Sequence, residues 1–390
     1  MALTVGIPRE TFAGERRVAM VPNAFDRLAK AGLKLIIERG AGAEAGFPDT
    51  AYEAKGAQLA TRSEVFAAAD ILLFVRALGA NPQAGSADLP LFRKGQIVIG
   101  FCEPLIAIEE ARTLAGTGVT LLSMELMPRI TRAQSMDALS SMATAAGYRA
   151  VLHGATASAH MFPMLTTAAG TLAPAKVFVL GAGVAGLQAI ATARRLGAVV
   201  SAYDVRPAVK EQVESVGAKF ISLEIEAGAA EDKGGYAKAM DENFYRRQRE
   251  LLTKVLREQD VVITTAAIPG RKAPILITAD MVRAMQPGSV IVDIAAPSGG
   301  NCELTQSGQT VVEDGVTILG PDNLPSEVPF HTSQMYSKNI ATFLQHLAPK
   351  GELILNLEDE ITRETLVAHQ GKVVHPRVAA QIETTQEVHA

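Results

Sequence analysis

Three glycines between an apolar run and a helical pattern carry the clearest chemical signal in this chain. Gly181, Gly183 and Gly186 form G-x-G-x-x-G directly after the predicted strand Lys176–Leu180. In such a turn the first glycine permits a tight bend, the second lets a pyrophosphate approach the backbone, and the third allows close packing of helix on strand. The N–H groups that open the following helix then face the phosphates. This spacing predicts a dinucleotide site.

An acidic residue follows at the position that such a site requires. Asp204 follows the next predicted strand, 204 − 186 = 18 residues beyond Gly186, where a carboxylate accepts hydrogen bonds from the adenosine ribose. The complete order of strand, turn, helix, strand and acid favours nucleotide binding over a turn that serves packing alone. A carboxylate at this point would repel the 2′-phosphate of NADP(H), so Asp204 predicts selectivity for NAD(H). Arg206 is the competing signal, because a nearby arginine can accept that phosphate.

A polar segment further upstream combines groups that could grip a nicotinamide carboxamide and its ribose. Arginine offers a fork of donors, glutamine both a donor and an acceptor, and aspartate an acceptor. The segment contains Arg129, Arg132, Gln134, Ser135 and Asp137. Composition is equally consistent with an alternative, in which Asp137 caps the next helix and the arginines are solvated.

A second unusual segment, 223–243, is charged and rich in glycine. It suits neither a buried strand nor a regular helix. Two readings stay open: a disordered insertion, or a lid in which Gly234 and Gly235 form the hinge and Tyr236 the anchor.

Composition narrows the class of protein. The chain has 390 residues, 48% of them hydrophobic, with a formal net charge of −4. This predicts two globular domains and gives no reason to expect nucleic acid as a partner. Cys102 and Cys302 form no Cys-x-x-Cys pair, which indicates a reducing compartment, and the histidine spacing favours no metal site. We expect neither a signal peptide nor a transmembrane segment, since no apolar run reaches the roughly 20 residues of a span.

Strand and helix patterns alternate along the chain, so we expect an α/β protein with parallel sheets covered on both faces. A long helix over Ser135–Leu152, rich in small residues, suits close packing against another element. Beyond Gln334–Leu347, a further predicted helix, weaker strand signals occur at Leu353–Leu355 and Lys372–Val374. The other predicted strands are Thr4–Ile7, Leu33–Glu38, Asp70–Val75, Gln96–Gly100, Val119–Ser123, Val199–Tyr203, Lys219–Ser222, Asp260–Thr264, Ser289–Ile294 and Val316–Leu319.

The late position of the glycine-rich turn predicts a discontinuous arrangement. We expect a first α/β domain from residues 1–142 and 330–390, with a Rossmann domain, 143–329, inserted into it. The fold class is then two Rossmann-like, doubly wound parallel-sheet domains with the cofactor in the cleft between them.

Several motifs resemble the alanine dehydrogenase and transhydrogenase superfamily. Segments 5–10 and 15–22 resemble its N-terminus, and 124–140 is similar to the transhydrogenase loop that carries an Arg-Gln-Asp set. Segments 181–204, 234–236 and 264–270 match the same family. Across essentially the whole chain, the resemblance is to the NAD(H)-binding alpha subunit, or first domain, of proton-translocating transhydrogenases.

The resemblance implies roles for individual residues. The candidate catalytic residues are Arg129, Gln134, Asp137, Ser140, Tyr148 and Tyr236. The candidate cofactor-binding residues are Arg129, Gln134, Ser135, Met136, Asp137, Gly181, Gly183, Val184, Gly186, Asp204, Val205, Arg206, Gly235, Gln248 and Ala267. Gln134 would also face a second nicotinamide on a partner, Tyr148 would support the site from behind, and Gln248 and Ala267 would border the adenine and nicotinamide halves of the cleft.

One departure bears on mechanism. Alanine dehydrogenases carry a catalytic lysine and a catalytic histidine, but Phe74 stands near the position expected for lysine and segment 99–104 contains no histidine. Arg17 matches the substrate-carboxylate arginine of the superfamily. An amino-acid dehydrogenase needs a proton acceptor beside the reacting amine, and an anchor alone does not supply one.

The resemblance implies an enzyme component that binds NAD(H) and passes hydride to NADP⁺ on a partner subunit, coupled to proton movement across a membrane. It implies membrane-spanning and NADP(H)-binding partners, a homodimer, and a cytoplasmic location peripheral to the inner membrane. Two alternatives are a stand-alone alanine-dehydrogenase-like enzyme and a non-catalytic NAD-binding module. The sequence leaves open whether the chain is a separate subunit or an excised domain.

Overall fold

The structure is a computed structural model that describes residues 2–222, 242–268 and 270–389; for 242–245 and 383–389 it describes the backbone alone. The chain divides into two compact units, Met1–Met142 with Ser326–Ala390, and Ala143–Pro325. The boundary falls within one long helix, Ala138–Ala157. Whether independently folding domains lie at 1–142 with 330–390 and at 143–329 stays a prediction.

The first unit is built on a mixed sheet that has eight strands among the described residues. Its strands are Thr4–Ile7 (β1), Lys34–Glu38 (β2), Gln58–Ala60 (β3), Ile71–Arg76 (β4), Ile97–Phe101 (β5), Thr120–Ser123 (β6), Leu366–His369 (β16) and Lys372–Val373 (β17). Their order is β17-β16-β6-β5-β4-β1-β2-β3, and β1 to β6 are parallel. The helices of this unit are Pro22–Lys30 (α1), Asp49–Glu53 (α2), Arg62–Ala68 (α3), Ile108–Gly116 (α4), the start of Ala138–Ala157 (α5), Pro329–Leu347 (α10), Glu360–Thr365 (α11) and Pro376–His389 (α12).

Strand β4 shows why this sheet is covered on both faces. Ile71, Leu73 and Val75 are buried in the cluster that includes α1 and α10, whereas Leu72 and Phe74 are buried in the cluster that includes α3 and α4. Successive side chains of a strand point to opposite faces. A continuous apolar run therefore fills two cores, as a doubly wound sheet requires.

The second unit repeats this design. Its strands are Leu165–Thr167 (β7), Gly170–Leu172 (β8), Lys176–Leu180 (β9), Val199–Tyr203 (β10), Lys219–Phe220 (β11), Val261–Thr264 (β12), Val290–Asp293 (β13), Gln309–Glu313 (β14) and Val316–Gly320 (β15). Its helices, besides most of α5, are Val184–Arg195 (α6), Lys210–Ser215 (α7), Glu242–Leu256 (α8) and Ala279–Arg283 (α9). The main sheet runs β11-β10-β9-β12-β13-β15-β14, and β7 pairs separately with β8. Counted from β9, the parallel strands follow the dinucleotide-binding order 3-2-1-4-5-6, whose direction switches between β9 and β12.

The expected parallel sheets have antiparallel strands at two edges. Strand β14 runs antiparallel to β15, and β16 runs antiparallel to both β6 and β17. Each hairpin turns through two residues with positive φ: Asp314 and Gly315 (48° and 80°), and Gln370 and Gly371 (50° and 81°). Positive φ at both central residues matches the twist of a two-residue hairpin.

Two other predictions need correction. The helix expected over Ser135–Leu152 begins at Ala138, and residues Thr131–Met136 form a 3₁₀ turn before it. Leu353–Leu355 pairs with no strand in the described part of the chain. The close packing expected from the small residues of α5 is confirmed, because a Cβ on Gly147 would lie 2.1 Å from the carbonyl oxygen of Ala185 on α6.

No helix in the described ranges is both long enough and apolar enough to cross a membrane.

Candidate nucleotide site

The three glycines of the turn after β9 have different structural reasons. Gly181 has a φ of 101°, in the region that favours glycine, and a Cβ there would lie 2.5 Å from Thr265 Oγ1. A Cβ on Gly186 would lie 1.9 Å from the carbonyl oxygen of Gly181. A Cβ on Gly183, in contrast, would meet nothing within 4 Å. Two glycines are thus required by the fold, while Gly183 leaves open space against the backbone, which fits an approaching pyrophosphate.

Helix α6 begins at this open position. Gly183 is its N-cap residue and provides no side-chain cap, and the first helical residue, Val184, is 41% exposed. The first N–H groups of a helix have no partner within the helix. The end of α6 therefore offers donors and a positive dipole end to an anion.

Asp204 is fixed to the turn rather than pointing freely into solvent. Its Oδ2 accepts a 2.8 Å hydrogen bond from the Ala182 backbone N–H. Arg206 donates to the same carboxylate from its backbone N and Nε, 2.9 Å each to Oδ1, and from Nη2, 2.9 Å to Oδ2. Asp204 is 9% exposed. The predicted ribose acceptor is thus held in place, and the competing Arg206 is already turned onto it.

Gln248 is buried, and its Nε2 donates to the hydroxyl of Tyr203 over 2.9 Å. Burial raises the pKa of Tyr203 to about 12, so the hydroxyl is protonated at neutral pH. This bond ties α8 to the end of β10, next to Asp204. Val205 packs on the core beneath it.

Two residues that we did not identify from the sequence hold the loop after β12, which contains the exposed Ala267. The Asn301 side chain accepts from the N–H of Ala266 (2.9 Å) and donates to its carbonyl (2.8 Å). Asp293, fully buried, accepts from the backbone N–H of Asn301 (2.7 Å) and from Thr264 Oγ1 (2.8 Å). This loop follows the central strand where the strand order switches, so its shape bears directly on the site.

In the first unit, the alternative reading of Asp137 describes the structure. Its Oδ1 accepts from the backbone N–H of Ser140 (2.9 Å) and its Oδ2 from Ser140 Oγ (2.5 Å). Asp137 therefore caps α5, and two of the predicted site residues contact each other.

The 3₁₀ turn divides the other residues of the loop by exposure. Arg129, Gln134 and Ser135 are exposed, whereas Met136 is 6% exposed and lies in the core of the first unit. The Met136 side chain is therefore unsuited to the cofactor contact we expected, which leaves only its backbone. Arg132 is neither simply solvated nor pointing toward a ligand, because its Nη1 lies 2.6 Å from Asp359 Oδ2.

Tyr148 lies on the part of α5 that belongs to the second unit, and it is 41% exposed.

Gly235 and Tyr236 lie outside the described residues. The described residues also contain no group of three or more His, Cys, Asp or Glu arranged to hold a metal ion.

Arg17, the residue that matches a substrate anchor, is 3% exposed in the first unit. Its Nε and Nη2 donate to Glu15 over 2.7 and 2.5 Å. Burial would raise the pKa of Glu15, but Arg17 and then Arg76 outweigh it and lower the pKa to about 2. Burial, reinforced by Glu15, raises the pKa of nearby Glu10 to about 8. The Arg17 fork is therefore turned toward a carboxylate of its own chain.

Two family models match consecutive parts of the chain. Residues 6–146 match the model of the alanine dehydrogenase/PNT N-terminal domain, and residues 150–376 match that of the alanine dehydrogenase/PNT C-terminal domain. This chain belongs to the alanine dehydrogenase/PNT family. The family resemblance inferred from the sequence motifs is thereby confirmed.

Relatives within the family differ in their similarity to the chain. It is 46% identical over 383 residues to an NAD(P) transhydrogenase subunit alpha chain of Rhodospirillum rubrum, covering 97% of this chain and all of the relative. The crystal structure of transhydrogenase from Sinorhizobium meliloti is 44% identical, with a TM-score of 0.85 over 95% of this chain and 100% of that one. An L-alanine dehydrogenase structure is 26% identical, with a TM-score of 0.82 over 98% and 99%. This family member therefore resembles transhydrogenase chains more closely in sequence, while sharing the two-domain fold with both.

Proposed function

We propose that this chain is the NAD(H)-binding component of a proton-translocating transhydrogenase. In this role it holds NADH while hydride passes to NADP⁺ on a partner subunit, and membrane-spanning partner subunits couple the transfer to proton movement. A homodimer held at the cytoplasmic face of the inner membrane by these partners completes the proposal.

The observation that carries this proposal has two parts. The chain has a nucleotide-type site, but it lacks a proton-transfer group at the positions where an amino-acid dehydrogenase needs one. Phe74 is 4% exposed and packs in the core of the first unit. Segment 99–104 contains no histidine, and Arg17 is paired with Glu15. Direct hydride transfer between two nicotinamides requires orientation and exclusion of water, but no general base.

The residues present fit a bound dinucleotide. The open space beside Gly183 and the uncapped end of α6 suit its pyrophosphate, and we propose that Asp204, directly after β10, accepts hydrogen bonds from the ribose. When bound, NAD(H) supplies the hydride at the nicotinamide ring. We propose that Arg129, Gln134, Ser135, Asp137 and Ser140 orient the ring and its ribose, with Tyr148 in support, and that Val205, Gln248 and Ala267 border the nucleotide.

A reconstitution experiment tests the function. The chain is mixed with NADH and a separately purified NADP(H)-binding transhydrogenase component, and hydride transfer to NADP⁺ is followed. The chain alone is also assayed with NADH, pyruvate and ammonia. We expect transfer only with the component present and no alanine formation. NADH oxidation with pyruvate and ammonia would instead support an amino-acid dehydrogenase, and NADH binding without either activity would indicate a binding module.

A further inference from the structure

Helix α10 reaches the candidate nicotinamide loop through one buried amide. Asn339 is 6% exposed, and its Nδ2 donates to the backbone carbonyl of Ser135 over 3.0 Å. Its Oδ1 accepts no hydrogen bond from any residue in the described ranges. A buried amide whose bond goes to a loop, and not to its own helix, fixes the position of that loop. The bond restrains the backbone directly after Gln134.

A second contact holds the same loop from the end of α11. Asp359 is the N-cap of this helix, and its Oδ1 accepts from the backbone N–H groups of Ile361 (2.9 Å) and Thr362 (3.2 Å). His346 on α10 places Nε2 3.1 Å from the same oxygen. The other oxygen, Oδ2, lies 2.6 Å from Arg132 Nη1. The Asp359 carboxylate is therefore fixed at the N-terminus of α11 while it also binds Arg132 of the 131–136 loop.

The character of the loop explains why it needs these contacts. A 3₁₀ turn lacks the hydrogen bonds between residues four apart that stabilise an α-helix, and its own hydrogen bonds have poorer geometry. Ala133 and Met136 anchor its inner side in the core, but Gln134 and Ser135 are exposed. The Arg132 side chain is 53% exposed, so its ion pair contributes little to stability. The ion pair matters instead because it constrains the position of Arg132 and of the loop that carries it.

We infer that Asn339 and Asp359 are positioning residues, which set the 131–136 loop for hydride transfer without touching the nucleotide. The inference rests on the proposed function. Because a displacement of about 1 Å at a reacting centre can cost about 10²-fold in rate, a loosened loop slows the chemical step.

The first test uses Asn339→Leu, which keeps the branched shape of the side chain and removes the donor. Single-turnover transfer from NADH to NADP⁺ is measured with the partner component, and the amplitude counts active sites separately from the rate constant. We expect a rate constant about 10- to 100-fold lower. With NADH deuterated at the transferred position, we also expect a larger isotope effect, because the chemical step becomes limiting. Thr342→Val on the same helix is the matched control, since its hydroxyl donates to the Lys338 carbonyl within α10.

The second test stays informative even if Asn339→Leu does not fold. Asp359→Asn retains a side chain that can cap α11, and Arg132→Gln removes the other charge of an exposed pair. We expect each to lower the transfer rate constant about 3- to 10-fold, with a double variant no slower than the worse single variant, because both remove the same contact.

The outcomes separate the two proposals. If the unmodified chain transfers hydride and all variants lose only amplitude, the residues are merely structural and the positioning role is overturned. Fully additive effects of Arg132→Gln and Asp359→Asn would exclude their contact as the cause. Failure of the unmodified chain to transfer hydride at all would overturn the proposed function, and this inference with it.

Discussion

At the scale of single residues, cofactor selectivity depends on how Asp204 and Arg206 share one site. The carboxylate accepts three hydrogen bonds from Arg206, one of them from the backbone N–H, so the guanidinium is already engaged by Asp204. A phosphate about 4 Å from the carboxylate would be repelled by about 4 kcal/mol at an effective dielectric of about 20, before screening by salt and before the opposing attraction of Arg206. We therefore predict that the pair favours NAD(H), with Arg206 as a cationic group that can be released from it.

We predict that Asp204→Ser brings the affinities for NADPH and NADH closer by about 10- to 100-fold, which corresponds to about 1.4–2.8 kcal/mol. The substitution removes the repulsion and releases Arg206 to bind the 2′-phosphate. Fluorescence titration with each reduced nucleotide measures the ratio. Adding Arg206→Gln to Asp204→Ser should cancel the gain for NADPH, and an unchanged ratio in the single variant would refute the argument.

Gln134 presents a different kind of prediction. We expect Gln134→Asn to slow hydride transfer by at least about 10-fold and to change binary NADH affinity much less. A contact made fully only when both nicotinamides are aligned lowers the barrier without tightening the binary complex. Fluorescence gives the affinity, and stopped-flow transfer with the partner component gives the rate. Lost affinity with preserved transfer would contradict this role.

At the scale of secondary-structure elements, two glycines in the turn between β9 and α6 have different roles, one in binding and one in folding. We predict that Gly183→Ala leaves the melting temperature nearly unchanged and weakens NADH binding, because its Cβ would enter the space proposed for the pyrophosphate. Gly186→Ala should lower the melting temperature, since its Cβ would lie 1.9 Å from the Gly181 carbonyl. Thermal unfolding and NADH titration on both variants check the contrast. Equal effects on both quantities would show that the two glycines are not divided in this way.

The segment that joins β1 to α1 carries a pH-dependent prediction. The pKa of Glu10 is about 8 in the folded chain, above its ordinary value of 4.5, because burial and then Glu15 disfavour its charge. The folded state thus holds a proton that the unfolded state loses, and the stability contributed by Glu10 declines as pH rises from about 5 to 8. We predict that Glu10→Gln makes the melting temperature fall less between pH 5 and pH 9 than it does in the unmodified chain. Each kcal/mol of stability that no longer depends on pH corresponds to about 2–4 °C in melting temperature. Melting curves at pH 5, 7 and 9 measure it; parallel pH profiles for both proteins would exclude Glu10.

At the scale of the whole molecule, the two units each have their own sheet and cores, and the C-terminal family model extends from the second unit into the C-terminal segment of the first. If the nucleotide contacts both units, as proposed, NADH should slow amide hydrogen exchange in 181–187 and 264–268 and also in 131–137. Exchange measured with and without saturating NADH tests this expectation. Protection confined to the second unit would count against a nicotinamide role for the Arg-Gln-Asp loop.

The homodimer is also a prediction at this scale. Light scattering should give about twice the chain mass of 41.2 kDa. A monomer at micromolar concentration, with hydride transfer intact, would show that the dimer is not needed for activity.

The sequence by itself determined the elements whose signal is local. Strand Lys176–Leu180 and strand Val199–Tyr203 lie where their apolar runs predict, and the two-domain α/β fold class is confirmed by the structure and its relatives. These strands depend on neighbours in the chain, so the periodicity of their apolar residues suffices to predict them. The hairpins at Asp314-Gly315 and Gln370-Gly371 were not predicted, although each has a local signal, a polar residue followed by glycine.

Tertiary structure alone decided the contacts that join distant segments. The Asn339 bond to Ser135 spans 204 residues, and the Arg132 pair with Asp359 links the loop to the C-terminal segment. Sequence left the role of Asp137 open, and the start of α5 at Ala138 makes it a helix cap. Met136 belongs to the core because the 3₁₀ turn points it inward. Such outcomes depend on which surfaces pack together, a property of the folded chain that no local pattern encodes.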